Sequence, residues 1–144
     1  MLKSPFKPRK NKDFRILLFY PNLHMSALMP QSMGIFTALF KREGFTLDLF
    51  DCTYYLDADI EEAGIGKNTN EEKVKNRNVK RFDNKVWQGK GIAPKTGIEK
   101  DFKKKISTFK PDLILVSVLE STYFLAINLL NSIPKNERKY KTLF

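Results

Sequence analysis

Apolar residues along this chain gather into short continuous runs that alternate with stretches where they recur every three or four positions. The first pattern predicts buried strands and the second amphipathic helices. Phe14-Arg15-Ile16-Leu17-Leu18-Phe19-Tyr20, closed by Pro21-Asn22, is continuous rather than alternating, which suits a strand covered on both faces. After a loop from Asn22 to Pro30, Gln31 to Arg42 reads as a helix. Ile35, Phe36, Leu39 and Phe40 form its apolar face, Lys41 and Arg42 suit its negative end, and Gly44 is its left-handed stop. Phe45 to Asp51 is a second strand, alternating in part and so expected nearer a sheet edge. Strand, helix and strand in so short a span make a right-handed crossover and a parallel pair.

Residues 56–99 interrupt this pattern with Asn, Lys and Gly and few apolar positions. They read as an extended connection, with one short helix around Glu71–Lys80 and with Phe82 and Trp87 available to pin it to the body. Regularity returns at Ile98 to Phe109, a helix with Ile98, Phe102, Ile106 and Phe109 on one face and Lys103-Lys104-Lys105 mostly on the other. Pro111-Asp112 turns the chain into Leu113-Ile114-Leu115-Val116-Ser117-Val118-Leu119, a further buried strand. Ser121 or Thr122 can cap a helix reaching about Ser132, with Pro134 beyond its end. Lys141-Thr142-Leu143-Phe144 looks like the start of a fourth strand.

The predicted fold is therefore α/β, a doubly wound parallel sheet. An unpaired apolar strand at the end leaves an open edge, so the sheet is expected to be incomplete at the C-terminus and the chain to be part of a longer protein. The organisation is a basic disordered arm at 1–13 and a partial α/β domain at 14–144, with the long basic connection at about 56–97.

Composition narrows the function classes. A chain of 144 residues supports one domain with a core. Its one cysteine, Cys52, excludes a disulfide framework and any cysteine-ligated zinc or iron–sulfur site built from this chain alone. No run approaches a membrane span and no export signal is evident, so a cytoplasmic protein is expected. The net charge of +10 sits mostly in the arm and in residues 61–110, and the strand-forming parts are near neutral. That pattern fits solvated lysines better than a nucleic-acid surface, and nucleic acid is not the expected partner.

In an open parallel sheet, ligands bind beyond the carboxyl ends of the strands. Pro21 to Gln31 contains no glycine, which argues against a dinucleotide or phosphate loop after the first strand. Gly64-Ile65-Gly66-Lys67 follows no strand. His24, the only histidine, has no cluster of ligating partners around it in sequence. Asp51 can bind ribose-like hydroxyls or simply solvate its strand end. Ser117, Glu120, Ser121 and Thr122 crowd the end of one strand and the start of a helix, where unpaired N–H groups attract polar ligand atoms. Capping explains Ser121 or Thr122 but not Ser117, which interrupts an apolar run. No nucleophile–base pair points to hydrolysis.

Ile16-Leu17-Leu18-Phe19-Tyr20-Pro21-Asn22, followed by Pro30, Gly34, Leu39, Gly44 and Asp51, resembles the opening of the cobalamin-binding domain of cobalamin-dependent radical S-adenosylmethionine enzymes. Pro111 to Leu119 resembles the third strand of cobalamin-binding domains, whose Ser-x-Leu motif is matched by Ser117 and Leu119. The resemblance covers about residues 14–55 and 98–144. It implies a flavodoxin-like, Rossmann-like fold holding cobalamin, with Pro21, Asn22, Ser117 and Leu119 among the cofactor-binding residues. Related domains carry Asp-x-His-x-x-Gly after the first strand, where this chain has Asn22-Leu23-His24-Met25-Ser26-Ala27. Cobalt is accordingly expected without a histidine ligand, and no residue is assigned to the metal. S-adenosylmethionine and a 4Fe-4S cluster would belong to a C-terminal barrel absent from this sequence, one candidate reaction of the whole protein being methyl transfer. This chain alone is expected to be non-catalytic and to bind cobalamin weakly or not at all. Two other readings stay open: the nucleotide-sugar-binding half of a glycosyltransferase, and a basic nucleic-acid-binding module.

Overall fold

The most continuous apolar run of the chain becomes its central strand. In a computed structural model, which describes residues 10–23, 30–58 and 95–144, β1 (Arg15–Tyr20) is buried from Ile16 to Tyr20. It pairs in parallel with β2 (Thr46–Asp51) on one side and β3 (Leu113–Val116) on the other. β4 (Lys141–Leu143) pairs in parallel with β3, giving the order β2-β1-β3-β4. Helices lie on both faces, so the domain is a doubly wound α/β sheet of the flavodoxin-like or Rossmann-like kind.

One face carries Leu17, Phe19, Phe50, Ile114 and Val116. It is covered by α2 (Ile98–Phe109) through Ile98, Phe102 and Ile106, and by α3 (Tyr123–Asn131) through Leu125, Ala126, Leu129 and Leu130. Phe102 sits at its centre, its ring 4.9 Å from that of Phe19 and 5.1 Å from that of Phe50. The other face carries Ile16, Leu18 and Tyr20 under α1 (Gln31–Arg42), which is anchored by Met33. Phe14, Phe40 and Phe45 close its lower end edge to face.

Turn chemistry follows the sequence in places. Gly44 takes a left-handed φ of 81° after α1, as its position predicts. The N-terminus of α2 is capped from a distance: the Asp57 carboxylate accepts from the backbone N–H groups of Gly97 and Ile98 at 2.7 and 3.0 Å. Asp112 ties the lower ends of three strands. Its carboxylate accepts from Arg15 N, its own N–H donates to Arg15 O, and its carbonyl accepts from Lys141 N, each at 2.9 Å.

Four expectations need correction. The third strand stops at Val116 rather than Leu119, because the chain turns into a short 3-10 turn at Glu120–Thr122 before α3. Leu113 and Leu115 of this continuous run are only half-buried, because no second helix covers that side among the described residues. For the same reason the predicted apolar face of α1 is partly open, and Ile35 is 58% exposed. The basic arm is ordered in its last part, where Asn11–Asp13 form a 3-10 turn fastened by Asn11 Nδ2 to Glu43 O and by Thr46 Oγ1 to Lys12 O. The helix expected at Glu71–Lys80, Phe82, Trp87, His24 and the Gly64–Lys67 run lie outside the described residues.

Candidate functional site

β2 and β3 flank β1 on opposite sides, so the strand order reverses between β1 and β3. In open α/β sheets ligands usually bind beyond the carboxyl ends of the strands at such a reversal. Register and side-chain alternation set three polar groups in a row on the α1 face at this end. Asp51 is paired with Tyr20 across the ladder. Ser117 follows Val116, which is paired with Phe19, and its N–H continues the ladder by donating to Phe19 O at 2.9 Å. Leu49, Leu18 and Leu115, two residues back on each strand, lie on this face.

Asp51 is half-buried and held by its own turn. Its Oδ1 accepts from Thr53 N at 2.9 Å and from the Thr53 hydroxyl at 2.6 Å. Thr53 Oγ1 in turn accepts from Asn22 Nδ2 at 3.0 Å. Asn22 is 1% exposed, so its side chain locks the loop after β1 to the loop after β2. The Oδ2 oxygen of Asp51 and the Ser117 hydroxyl make no hydrogen bond among the described residues. They are the groups of this row available to a ligand. Thr53 and Tyr20 went unnoticed in the sequence; the Asp51-x-Thr53 spacing, which suits an Asx turn, was the available signal for Thr53.

The remaining predicted residues sort by burial. Pro21 is buried behind Asn22. The Thr122 hydroxyl is engaged by the turn, accepting from Leu119 N at 3.0 Å and donating to Leu119 O at 3.2 Å. No side-chain cap is made to α3 itself. Leu119, Glu120 and Ser121 are exposed at the rim beside Ser117.

Electrostatics discourage covalent chemistry here. Burial, and secondly the nearby Asp51 charge, push the Cys52 thiol far up, so it stays protonated. Tyr20 is raised by the same two causes. Behind Asp51 a groove of about 510 Å³ runs along the β2 edge, bordered by Tyr55, Lys95, Lys104 and Lys105. Of its polar groups, the Tyr55 hydroxyl donates to Asp101 Oδ2 at 2.8 Å, and Lys105 pairs with Asp48 at 2.8 Å. Among the described residues no group of His, Cys, Asp and Glu is placed to hold a metal ion.

The fold defines a class, the doubly wound parallel α/β domains, in which a topological switch point is the usual ligand position. No family model, curated protein or solved structure matches the chain.

Proposed function

We propose that this domain binds a corrinoid, cobalamin, as the amino-terminal part of a radical S-adenosylmethionine enzyme. The observation that carries the reading is the Ser117 hydroxyl at the switch point, which makes no hydrogen bond among the described residues and lies next to an apolar sheet face that α1 covers only in part. A corrinoid presents a broad, mainly apolar ring and a polar nucleotide tail. It therefore asks for an open apolar face with a few hydroxyl and carboxylate groups at its end, and Leu115, Ser117, Leu119 and Asp51 are of that chemistry.

In this reading Ser117 and Asp51 hold polar atoms of the tail, and Leu119 at the exposed rim meets the ring. Asn22 and Thr53 act through Asp51, fixing its carboxylate. When bound, cobalamin supplies a carbon–cobalt bond for methyl transfer. With one cysteine, this chain does not itself hold the three-cysteine cluster that radical chemistry requires.

Equilibrium dialysis of the chain against hydroxocobalamin tests the reading. Weak, saturable retention that Ser117→Trp abolishes is expected. A chain that retains a uridine-diphosphate sugar and no corrinoid would overturn it in favour of a nucleotide-sugar site, for which the open Asp51 oxygen is the supporting feature.

A further inference from the structure

The two oxygens of the Asp51 carboxylate are not equivalent. Oδ1 takes both donors of Thr53, the N–H at 2.9 Å and the hydroxyl at 2.6 Å, and the buried Asn22 amide braces Thr53 in turn. Oδ2 accepts nothing among the described residues. Asp51 also makes no ion pair among them. Of the lysines bordering the groove behind it, Lys105 is held by Asp48 and Lys95 lies over the Tyr55 ring. The Asp51 charge is felt by its neighbours, since after burial it is the second cause that raises both Tyr20 and Cys52. A carboxylate with no paired cation is an acceptor only. A ligand atom on Oδ2 must therefore donate, and an anion there would meet like charge in a half-buried position. Ser117, on the other side of Tyr20 in the row, carries a hydroxyl that both donates and accepts. Adjacent strands lie about 4.8 Å apart, so the two groups stand roughly 10 Å from each other. Ser117 tolerates either kind of partner, and discrimination falls to Asp51.

Resting on the corrinoid reading of this site, we propose that Asp51 is its specificity-determining residue, with Oδ2 accepting from a free sugar hydroxyl of the nucleotide tail. The tail offers two polar chemistries, the hydroxyls of its ribose and a phosphodiester. Phosphate oxygens accept and carry negative charge, so Asp51 holds the sugar and keeps the phosphodiester away from the end of β2. Because Thr53 occupies Oδ1, a single acceptor is left, which suits one hydroxyl. Amide groups on the ring are donors as well. The reading sets the ring at the Leu119 rim after β3, however, two strands from Asp51. A corrinoid without the tail thus gains nothing from Asp51.

Asp51→Asn is the informative substitution, because its amide oxygen can keep both Thr53 bonds while its NH2 group replaces the open acceptor. Equilibrium dialysis of the full chain compares hydroxocobalamin with cobinamide, the corrinoid that lacks the nucleotide tail. The parent chain should hold hydroxocobalamin more tightly than cobinamide. Asp51→Asn should weaken hydroxocobalamin by about tenfold and leave cobinamide within about twofold. Asp51→Glu, which keeps the charge and displaces the oxygen by one methylene, should also lose hydroxocobalamin selectively and covers the case in which the Asn variant misfolds. Inorganic phosphate at constant ionic strength should not displace hydroxocobalamin from the parent chain. Equal losses of the two corrinoids in both variants, unchanged hydroxocobalamin binding in both, or displacement by phosphate would each overturn the proposal and leave the corrinoid reading standing. A parent chain that retains neither corrinoid would overturn the reading and the proposal with it.

Discussion

The two faces of this sheet are made from the same strands, yet they are finished differently. Under α2 and α3, Leu17, Phe19, Ile114 and Val116 are buried, and Phe102 interlocks with Phe19 and Phe50. On the other face, where α1 is the one helix among the described residues, Ile16 and Leu18 are buried, but Leu113 and Leu115 are half-buried and Leu143 is 55% exposed. The apolar content of the strands is similar on both sides, so the difference comes from what lies above them. Among the described residues two helices close over one face, while the α1 face keeps part of its apolar surface exposed. That surface runs to the strand ends at Ser117, so the less finished face is also the one that bears the candidate site.

Substitutions should separate the faces clearly. Phe102→Ala removes the central ring of the closed face and should cost about 3–5 kcal/mol in urea unfolding. Leu115→Ala, on the open face, should cost no more than about 1.5 kcal/mol; equal losses would show that the open face is closed in solution. Thr53→Val removes the Thr53 hydroxyl that accepts from the buried Asn22 amide and donates to the Asp51 carboxylate. It should cost about 1–3 kcal/mol, and corrinoid retention should fall with it even where the domain stays folded.

Alkaline pH should unfold the closed face first, through Cys52 and Tyr55. The Cys52 thiol ordinarily titrates near 9.0, and burial raises it when folded. Tyr55 ordinarily titrates near 10.0 and is raised by burial and by its bond to Asp101. Below pH 9 both groups are protonated in either state, so their contribution to stability is complete. Above it the unfolded chain ionises while the folded one holds its protons, and stability declines. Cys52→Ala should flatten the first part of that decline in a pH series of urea midpoints.

The smallest effect is expected from residues 59–94. The chain on either side of them is fastened at its root by Leu56 N to Lys95 O at 2.9 Å, Lys95 N to Tyr54 O at 2.8 Å and the Asp57 cap on α2. A short Gly/Ser linker in place of 59–94 should leave the melting temperature no lower than that of the parent chain. A marked drop would mean that the closed face depends on more than α2 and α3.

Much of the fold could be read directly from residues. Gln31–Arg42 and Ile98–Phe109 are helices with the predicted bounds, because period and punctuation agree at both ends. β1 is buried on both faces as its continuous run implies, and β2 lies at an edge as its partial alternation implies. The site was legible only in part. Ser117 stood out as a hydroxyl interrupting an apolar strand, and Asp51 as an acid at a strand end. The Asp51-x-Thr53 spacing marked the turn between those two residues, but nothing local marked Tyr20 or the bond from Asn22 to Thr53, because these groups meet only across the β1–β2 ladder.

The sequence alone settled the helices at Gln31–Arg42 and Ile98–Phe109, the parallel pairing of β1 and β2 and the polar residues at the strand ends, since each depends on neighbours within a few positions or one crossover. Tertiary structure decided which apolar runs are covered. Ile35 and Leu115 look as core-like in sequence as Phe102 and Ile114 do, because periodicity records that a residue has an apolar face, and burial depends on whether another element arrives to meet it.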